Sequence, residues 1–167
     1  MIAVLQRVNN AKVEIDGRVC GECGKGLLIL LGIAEEDNKK DAELLTAKIS
    51  KLRIFSDGDG KMNLSVGDIG GEALIISNFT LYANYKKGNR PDFLSAAKPK
   101  IAEPLYDYFI ECMQANDIVV SHGEFGADMQ VFLQNDGPVT IVMDSGVLSG
   151  KDTERVYETD FDGEFRS

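Results

Sequence analysis

Histidine is almost absent from this 167-residue sequence: His122, followed by Gly123, is the only one. A Ser-His-Asp or Cys-His mechanism would have to use it. No Gly-x-Ser-x-Gly elbow is present, and a lone histidine at a strand end reads as a placed side chain rather than a base. Cysteine is scarce as well. Cys20, Cys23 and Cys112 are an odd number without disulfide spacing, which points to a reducing cytosol. Cys20-Gly21-Glu22-Cys23 has the C-x-x-C spacing, but a structural zinc needs four ligands, and only Cys112 and His122 remain to complete a set. A redox pair belongs at a helix start after a strand, whereas this one falls in a β-meander. There is no P-loop, and no Gly-x-Gly-x-x-Gly follows a strand, which excludes the nucleotide fingerprints. Ser56-Asp57-Gly58-Asp59-Gly60 resembles the opening of a calcium loop, but Lys61, Met62 and Leu64 bring no oxygen ligands. The sequence therefore predicts neither metal nor cofactor. No apolar run approaches the roughly 20 residues of a membrane span. Met1-Ile2-Ala3-Val4-Leu5-Gln6-Arg7 reads straight into a strand rather than a signal peptide. The expectation is a cytoplasmic protein with no membrane contact.

Positive charge is also in short supply. Lys and Arg total 18 against 27 acids, a net charge of −9, which argues against a broad phosphate-binding surface. The deficit is uneven. Between Lys86 and Lys100 stand five basic residues (Lys86, Lys87, Arg90, Lys98, Lys100) and one acid, Asp92, whereas Lys151 to Ser167 holds six acids and three bases. A local basic patch is compatible with that distribution, and so is an ordinary solvated loop.

What is present is an ordinary globular balance, 44% hydrophobic and 27% charged, enough for one domain with a real core. Residues 2 to 8 are apolar and β-prone. Asn9-Asn10 reads as a turn before an alternating run, Ala11 to Ile15, and Asp16-Gly17 as a hairpin. Leu27 to Ile33 is nearly continuous apolar sequence, the mark of a strand buried on both faces. Leu45, Ile49 and Leu52 share a helical face, with Asp37 or Asn38 as cap. A second helix is expected near Glu103 to Ala115, with Pro104 in its first turn. Strands follow at Ile118 to Ser121, Met129 to Leu133 and Val139 to Met143. The fold class predicted is α/β: two β-sheets packed in a sandwich or barrel-like arrangement with helices on one side. The domain spans 1–145, and from Gly146 to Ser167 the pattern fails, which reads as an acidic, flexible tail.

Two segments stand out chemically. In Ser77-Asn78-Phe79-Thr80 a buried strand delivers a hydroxyl, an amide and a second hydroxyl. Such groups, with backbone amides, can hold a carbonyl and its developing oxyanion without an ionisable base. In strands, however, Ser and Thr usually just satisfy backbone or face solvent. The other segment, Asn135-Asp136-Gly137-Pro138-Val139-Thr140, lies between two apolar runs. It reads either as a hairpin turn or as a rigid, side-chain-poor backbone edge that can be offered to a ligand.

At these two segments the sequence resembles the D-aminoacyl-tRNA deacylases, whose motifs are Ser-Gln-Phe-Thr and Asn-x-Gly-Pro-Val-Thr. The likeness extends through Ala3-Val4-Leu5-Gln6-Arg7-Val8, Gly60-Lys61-Met62-Asn63, Lys87-Gly88-Asn89-Arg90-Pro91-Asp92-Phe93 and Gly123 to Val131, in the family's order. Asn78 departs from the family's Gln by one methylene. The resemblance implies a cytosolic homodimer that hydrolyses the ester between a D-amino acid and tRNA and also removes glycine from mischarged tRNA. It implies a cis Gly137-Pro138 bond whose backbone enters the other subunit's site and rejects L-amino acids, with Arg7 fixing its orientation. Ser77, Asn78, Phe79 and Thr80 would form the catalytic segment. Thr80 occupies a position once assigned as nucleophile, in a family better described as substrate-assisted through the 2′-hydroxyl of the terminal adenosine. Lys86, Lys87 and Arg90 would then contact tRNA. The alternative is a non-catalytic RNA- or nucleotide-binding dimer of the same fold.

Overall fold

The computed structural model describes residues 1–86 and 88–150; Lys87 and residues 151–167 lie outside that description. The sheet is built on β1 (Ile2–Ile15), a single strand of 14 residues. The turn expected at Asn9-Asn10 does not reverse the chain. After Asp16-Gly17, where both residues take positive φ (50° and 75°), β2 (Arg18–Cys23) returns along the far half of β1. Then β3 (Gly26–Gly32) pairs antiparallel with the near half, Ile2 to Val8.

From β3 the chain crosses twice through helices. The first crossover holds α1 (Lys39–Ile49) and a small ribbon of β4 (Phe55–Ser56) and β5 (Met62–Leu64), and it ends in β6 (Glu72–Ser77), parallel to β3. The second holds a 3-10 turn (Phe79–Tyr82) and α2 (Pro99–Gln114), and it ends in β7 (Val119–His122), parallel to β6. Parallel neighbours require such long crossovers. Finally β8 (Gln130–Asp144) runs antiparallel to β1 along nearly its whole length. The main strands thus form one six-stranded sheet, β2-β1-β3-β6-β7 with β8 on the other edge of β1, not the two packed sheets expected. β2 and β7 approach closely. A Cβ on Gly21 would sit 2.6 Å from the His122 carbonyl oxygen, so the sheet curls into a nearly closed barrel.

That curl buries both faces of the central strands. Leu27, Ile29 and Leu31 of β3 and Ala73 and Ile75 of β6 face α1 and α2, meeting Leu45, Ile49, Leu105 and Phe109. Leu28, Leu74 and Ile76 face inward, with Val8, Ala11 and Val13. The parity of β1 switches along its length: Ala3 and Leu5 join the helix-side core, whereas Ala11 and Val13 join the inner one. A one-residue bulge accounts for the switch, because side-chain direction alternates with period two. Val8 pairs with Asn135 and Asn10 with Gln134, so Asn9 is the extra residue. The Asn9-Asn10 signal is therefore spent on turning a strand over.

Asn38, not Asp37, caps α1. Its Oδ1 accepts from Lys40 N at 3.0 Å, and Asp41 Oδ2 accepts from Asn38 N at 3.0 Å, a reciprocal box. Asp37 instead takes the Met1 ammonium at 2.6 Å. Leu52 lies beyond the helix end. α2 begins at Pro99, earlier than expected, which puts Pro104 in the second turn, where its exposed ring costs one backbone hydrogen bond. Residues 146–149, expected to be irregular, are helical. Asp144 caps a short helix, α3 (Ser145–Ser149), by accepting from Gly146 N at 2.8 Å, and Gly150 closes it at φ 70°. The acidic part of the expected tail, 151–167, lies outside the described residues.

Candidate active site

Ser77 ends β6, and the apolar residues before it anchor it: Ala73 to Ile76 are all buried. The next residue, Asn78, leaves the strand but keeps its register, its N–H donating to Leu31 O at 2.8 Å. Its side chain caps the 3-10 turn. Asn78 Oδ1 accepts from Thr80 N at 3.1 Å and from the Thr80 hydroxyl. Cap formation explains why a short amide works locally: Asn is among the best residues for reaching the second N–H of a turn. Thr80 and Phe79 are exposed, and Phe79 meets Phe93 edge-to-face with ring centroids 5.1 Å apart.

A cleft of about 540 Å³ opens at this point, at the carboxyl ends of the parallel strands, where ligands of open α/β sheets generally bind. Ser77, Asn78 and Phe79 form one wall, Phe93 and Phe125 contribute rings, and Lys98 stands on the rim. A second cleft of about 350 Å³ lies on the other side of the same wall, lined by Gln6, Leu30 and Leu133. Ser77, Asn78, Ala127, Asp128 and Met129 border both. The Ala127–Met129 segment and the two phenylalanines were not singled out from the sequence as site residues. The signals for the former were the two-glycine loop after β7 and the resemblance over Gly123 to Val131, neither of which assigned it a role. His122 lines neither cleft; its Nδ1 lies 2.9 Å from the neighbouring Gly123 carbonyl. Thr80 thus gives its hydroxyl proton to an amide oxygen, not to a base.

Asn135 to Thr140 forms a bulge within β8. It is not a hairpin turn, because both halves of β8 run in the same direction along β1. Gln6 pairs with Thr140 and Val8 with Asn135, so residues 136–139 are looped out opposite Arg7. Two side chains hold this bulge. Asn135 Nδ2 donates to Arg7 O at 3.0 Å and to Val139 O at 3.2 Å, closing its base. Arg7, only 8% exposed, donates through Nε to Asp136 O at 3.2 Å, pairs with Asp136 Oδ2 at 3.0 Å and donates through an Nη to Ile54 O at 2.6 Å. Gly137 and Pro138 are left exposed at the crest, joined by a cis peptide bond. Gly137 has φ 132°, and a Cβ there would fall 2.8 Å from a Val139 methyl and 3.1 Å from the Arg7 guanidinium, so only glycine fits. Neither Gly137 nor Pro138 lines the clefts of its own chain.

Lys86 and Arg90 are exposed on the loop between the 3-10 turn and α2; Lys87 lies outside the described residues. The three cysteines are free. Cys20 is exposed and Cys23 is buried. Burial pushes the Cys23 thiol up to about 11, which leaves it protonated and unreactive.

The match to known proteins covers this whole arrangement. The family model described as D-Tyr-tRNA(Tyr) deacylase matches residues 4–144. The chain is 56% identical to the D-aminoacyl-tRNA deacylase of Chloroflexus aurantiacus, over 89% of this chain and 92% of that one. It is 57% identical to the D-aminoacyl-tRNA deacylase of Fusobacterium nucleatum, over 87% and 96%. Among solved structures, the c-Myc DNA unwinding element binding protein superposes with a TM-score of 0.81 at 42% identity, over 86% of this chain and 98% of that one. A probable eukaryotic D-amino acid tRNA deacylase shares the fold with a TM-score of 0.74 at 14% identity, over the same shares. The sequence motifs, the cleft at the end of β6 and the clamped bulge of β8 thus fall within one continuous match, and the chain belongs to the D-Tyr-tRNA(Tyr) deacylase family of hydrolases.

Proposed function

We propose that this protein hydrolyses the ester of D-aminoacyl-tRNA, and of mischarged glycyl-tRNA, in the cytoplasm, by positioning the ester rather than attacking it. One observation carries the reading. The Thr80 hydroxyl is fastened to Asn78 Oδ1, an amide oxygen that cannot accept its proton. Thr80 is then a poor nucleophile, and the work falls to the wall as a whole. An aminoacyl ester is already labile, so holding it and stabilising the oxyanion suffice, each donor being worth about 3 kcal/mol. The substrate's own 2′-hydroxyl assists the step. Ser77, Asn78, Phe79 and Thr80 hold the carbonyl, and Lys86, Lys87 and Arg90 meet tRNA phosphates.

Chirality is selected by backbone. An enzyme that accepts many side chains cannot choose by a side-chain pocket, but it can reject one hand by a clash near Cα. Gly137 and Pro138 provide an exposed edge free of long side chains, fixed by Arg7 and Asn135. Because this edge lies outside the clefts of its own chain, it serves the neighbouring subunit of a homodimer. The free edge strand β8 supports dimerisation: it exposes Phe132, Leu133 and Val142, at 45, 38 and 54%. Glycine, with no side chain, passes the gate.

Incubation with D-Tyr-tRNA and L-Tyr-tRNA, following free tyrosine, tests the reading. Preferential release from the D ester is expected. No release from either would leave the non-catalytic RNA-binding alternative.

A further inference from the structure

The loop leading from the 3-10 turn to α2 places a second feature at the mouth of the larger cleft. An antiparallel bridge closes it: Asn84 N donates to Asp92 O at 2.8 Å and Asp92 N to Asn84 O at 3.0 Å. Tyr85 and Phe93 each directly follow a residue of this bridge. Phe93 in turn packs edge-to-face on Phe79, and both line the cleft. The rings are open to solvent, Tyr85 at 79% and Phe79 at 59%.

Cations occupy the same stretch of chain. Lys86, Arg90, Lys98 and Lys100 are exposed, and among the described residues none is in an ion pair. The one acid of the stretch is occupied with structure: Asp92 Oδ2 accepts from Asn84 Nδ2 at 3.0 Å and Oδ1 from Leu94 N at 3.3 Å. Glu35 Oε2 accepts from the Lys98 backbone N–H at 3.4 Å, but in a chain of net charge −9 exposed rings interleaved with four cations are complementary to one class of partner, a single-stranded polyanion with flat bases.

We propose that Tyr85 and Phe93 form a stacking platform for the unpaired nucleotides at the 3′ end of the acceptor strand, with Lys86, Arg90 and Lys98 along its phosphates. The inference rests on the reading of the site given above and extends it outward from the ester along the RNA. Stacking tolerates any base because every base has a π face, which suits an enzyme acting on acceptors of many sequences. Single strands are also where RNA exposes its bases to aromatic side chains. The platform adds affinity without touching the ester, so its loss acts on binding and not on the chemical step.

Two substrates separate these effects: D-Tyr-tRNA, and the D-tyrosyl ester of adenosine alone, which ends at the scissile bond. Tyr85→Ala is expected to raise KM for the tRNA about tenfold, the effect of one lost stack. Its kcat should stay unchanged, as should both constants on the adenosine ester; Tyr85→Phe should retain wild-type behaviour. Equal losses on both substrates, or no loss on either, would overturn the platform. So would a fall in sedimentation mass in Tyr85→Ala, which would show that a second copy of the chain covers these rings. If the wild type releases tyrosine from neither substrate, the reading of the site fails by itself. The platform is then judged by fluorescence titration with an uncharged single-stranded RNA of the acceptor sequence, where Tyr85→Ala should weaken binding about tenfold and an unchanged affinity contradicts it.

Discussion

The wall at Ser77–Thr80 and the crest at Gly137–Pro138 are both short, polar and made largely of backbone, yet they are held in opposite ways. The wall is an extension of the core. Buried Ile75 and Ile76 lead into it, Asn78 N–H continues the hydrogen bonding to β3, and the side chain of Asn78 turns the chain away. The crest interrupts an edge strand. Gly137 contributes no side chain to the core, and its place depends on one buried guanidinium and one amide. A site fixed by strand burial tolerates the loss of any one polar contact, whereas a site fixed by a clamp depends on the clamp.

Arg7→Ala breaks that contrast most severely. It removes three polar contacts and leaves the Ile54 carbonyl without its donor, at a cost of about 2 kcal/mol, reduced because Asp136 reaches solvent. Chemical denaturation should show that loss, and the ratio of D-Tyr-tRNA to L-Tyr-tRNA hydrolysis should fall at least about tenfold, the equivalent of 1.4 kcal/mol. Retention of the ratio would mean that Arg7 does not hold the gate. Asn78→Ala comes next. Losing the cap should cost about 1 kcal/mol in stability and about tenfold in kcat, with chirality preference intact. The smallest effect in the wall is expected for Thr80→Val. A positioning hydroxyl costs roughly tenfold or less in kcat, whereas removing a nucleophile costs on the order of a millionfold, so single-turnover kinetics decide between the roles. Smaller still is Lys86→Ala. It should weaken all acceptors alike and reduce the slope of log affinity against log salt by about one, measured by titration with uncharged tRNA; an unchanged slope would remove Lys86 from the RNA surface.

The same contrast explains what was legible in the sequence. β3 was visible because Leu27 to Leu31 is apolar without interruption, and only a strand covered on both faces needs that. Asn38 and Leu45 marked α1 because capping and helical period are local signals. The two misread signals were Asn9-Asn10 and Asn135 to Pro138. Each is sound turn chemistry, but whether a turn former reverses a chain or bulges a strand depends on what its flanks pair with. Here the two signals lie opposite each other, Val8 on Asn135 and Asn10 on Gln134, so each pair of apolar flanks stays in one long ladder. One signal flips the face of β1 and the other lifts Gly137 and Pro138 out of β8. The motif residues of the wall were readable because they are contiguous. Phe93, Phe125 and Ala127 to Met129 were not, since three separate segments meet only at the carboxyl ends of the parallel strands.

In the proposed mechanism, the crest of one chain filters substrate held on the wall of another. This is tested by a mixed dimer purified through two different tags, one chain carrying Gly137→Ala and the other Asn78→Ala with Thr80→Ala. The single site with an intact wall then receives its crest from the other chain, which is wild-type there. That dimer is expected to keep the D-over-L preference of the wild-type protein; the relaxed preference of the Gly137→Ala homodimer would mean that each crest serves the wall of its own chain.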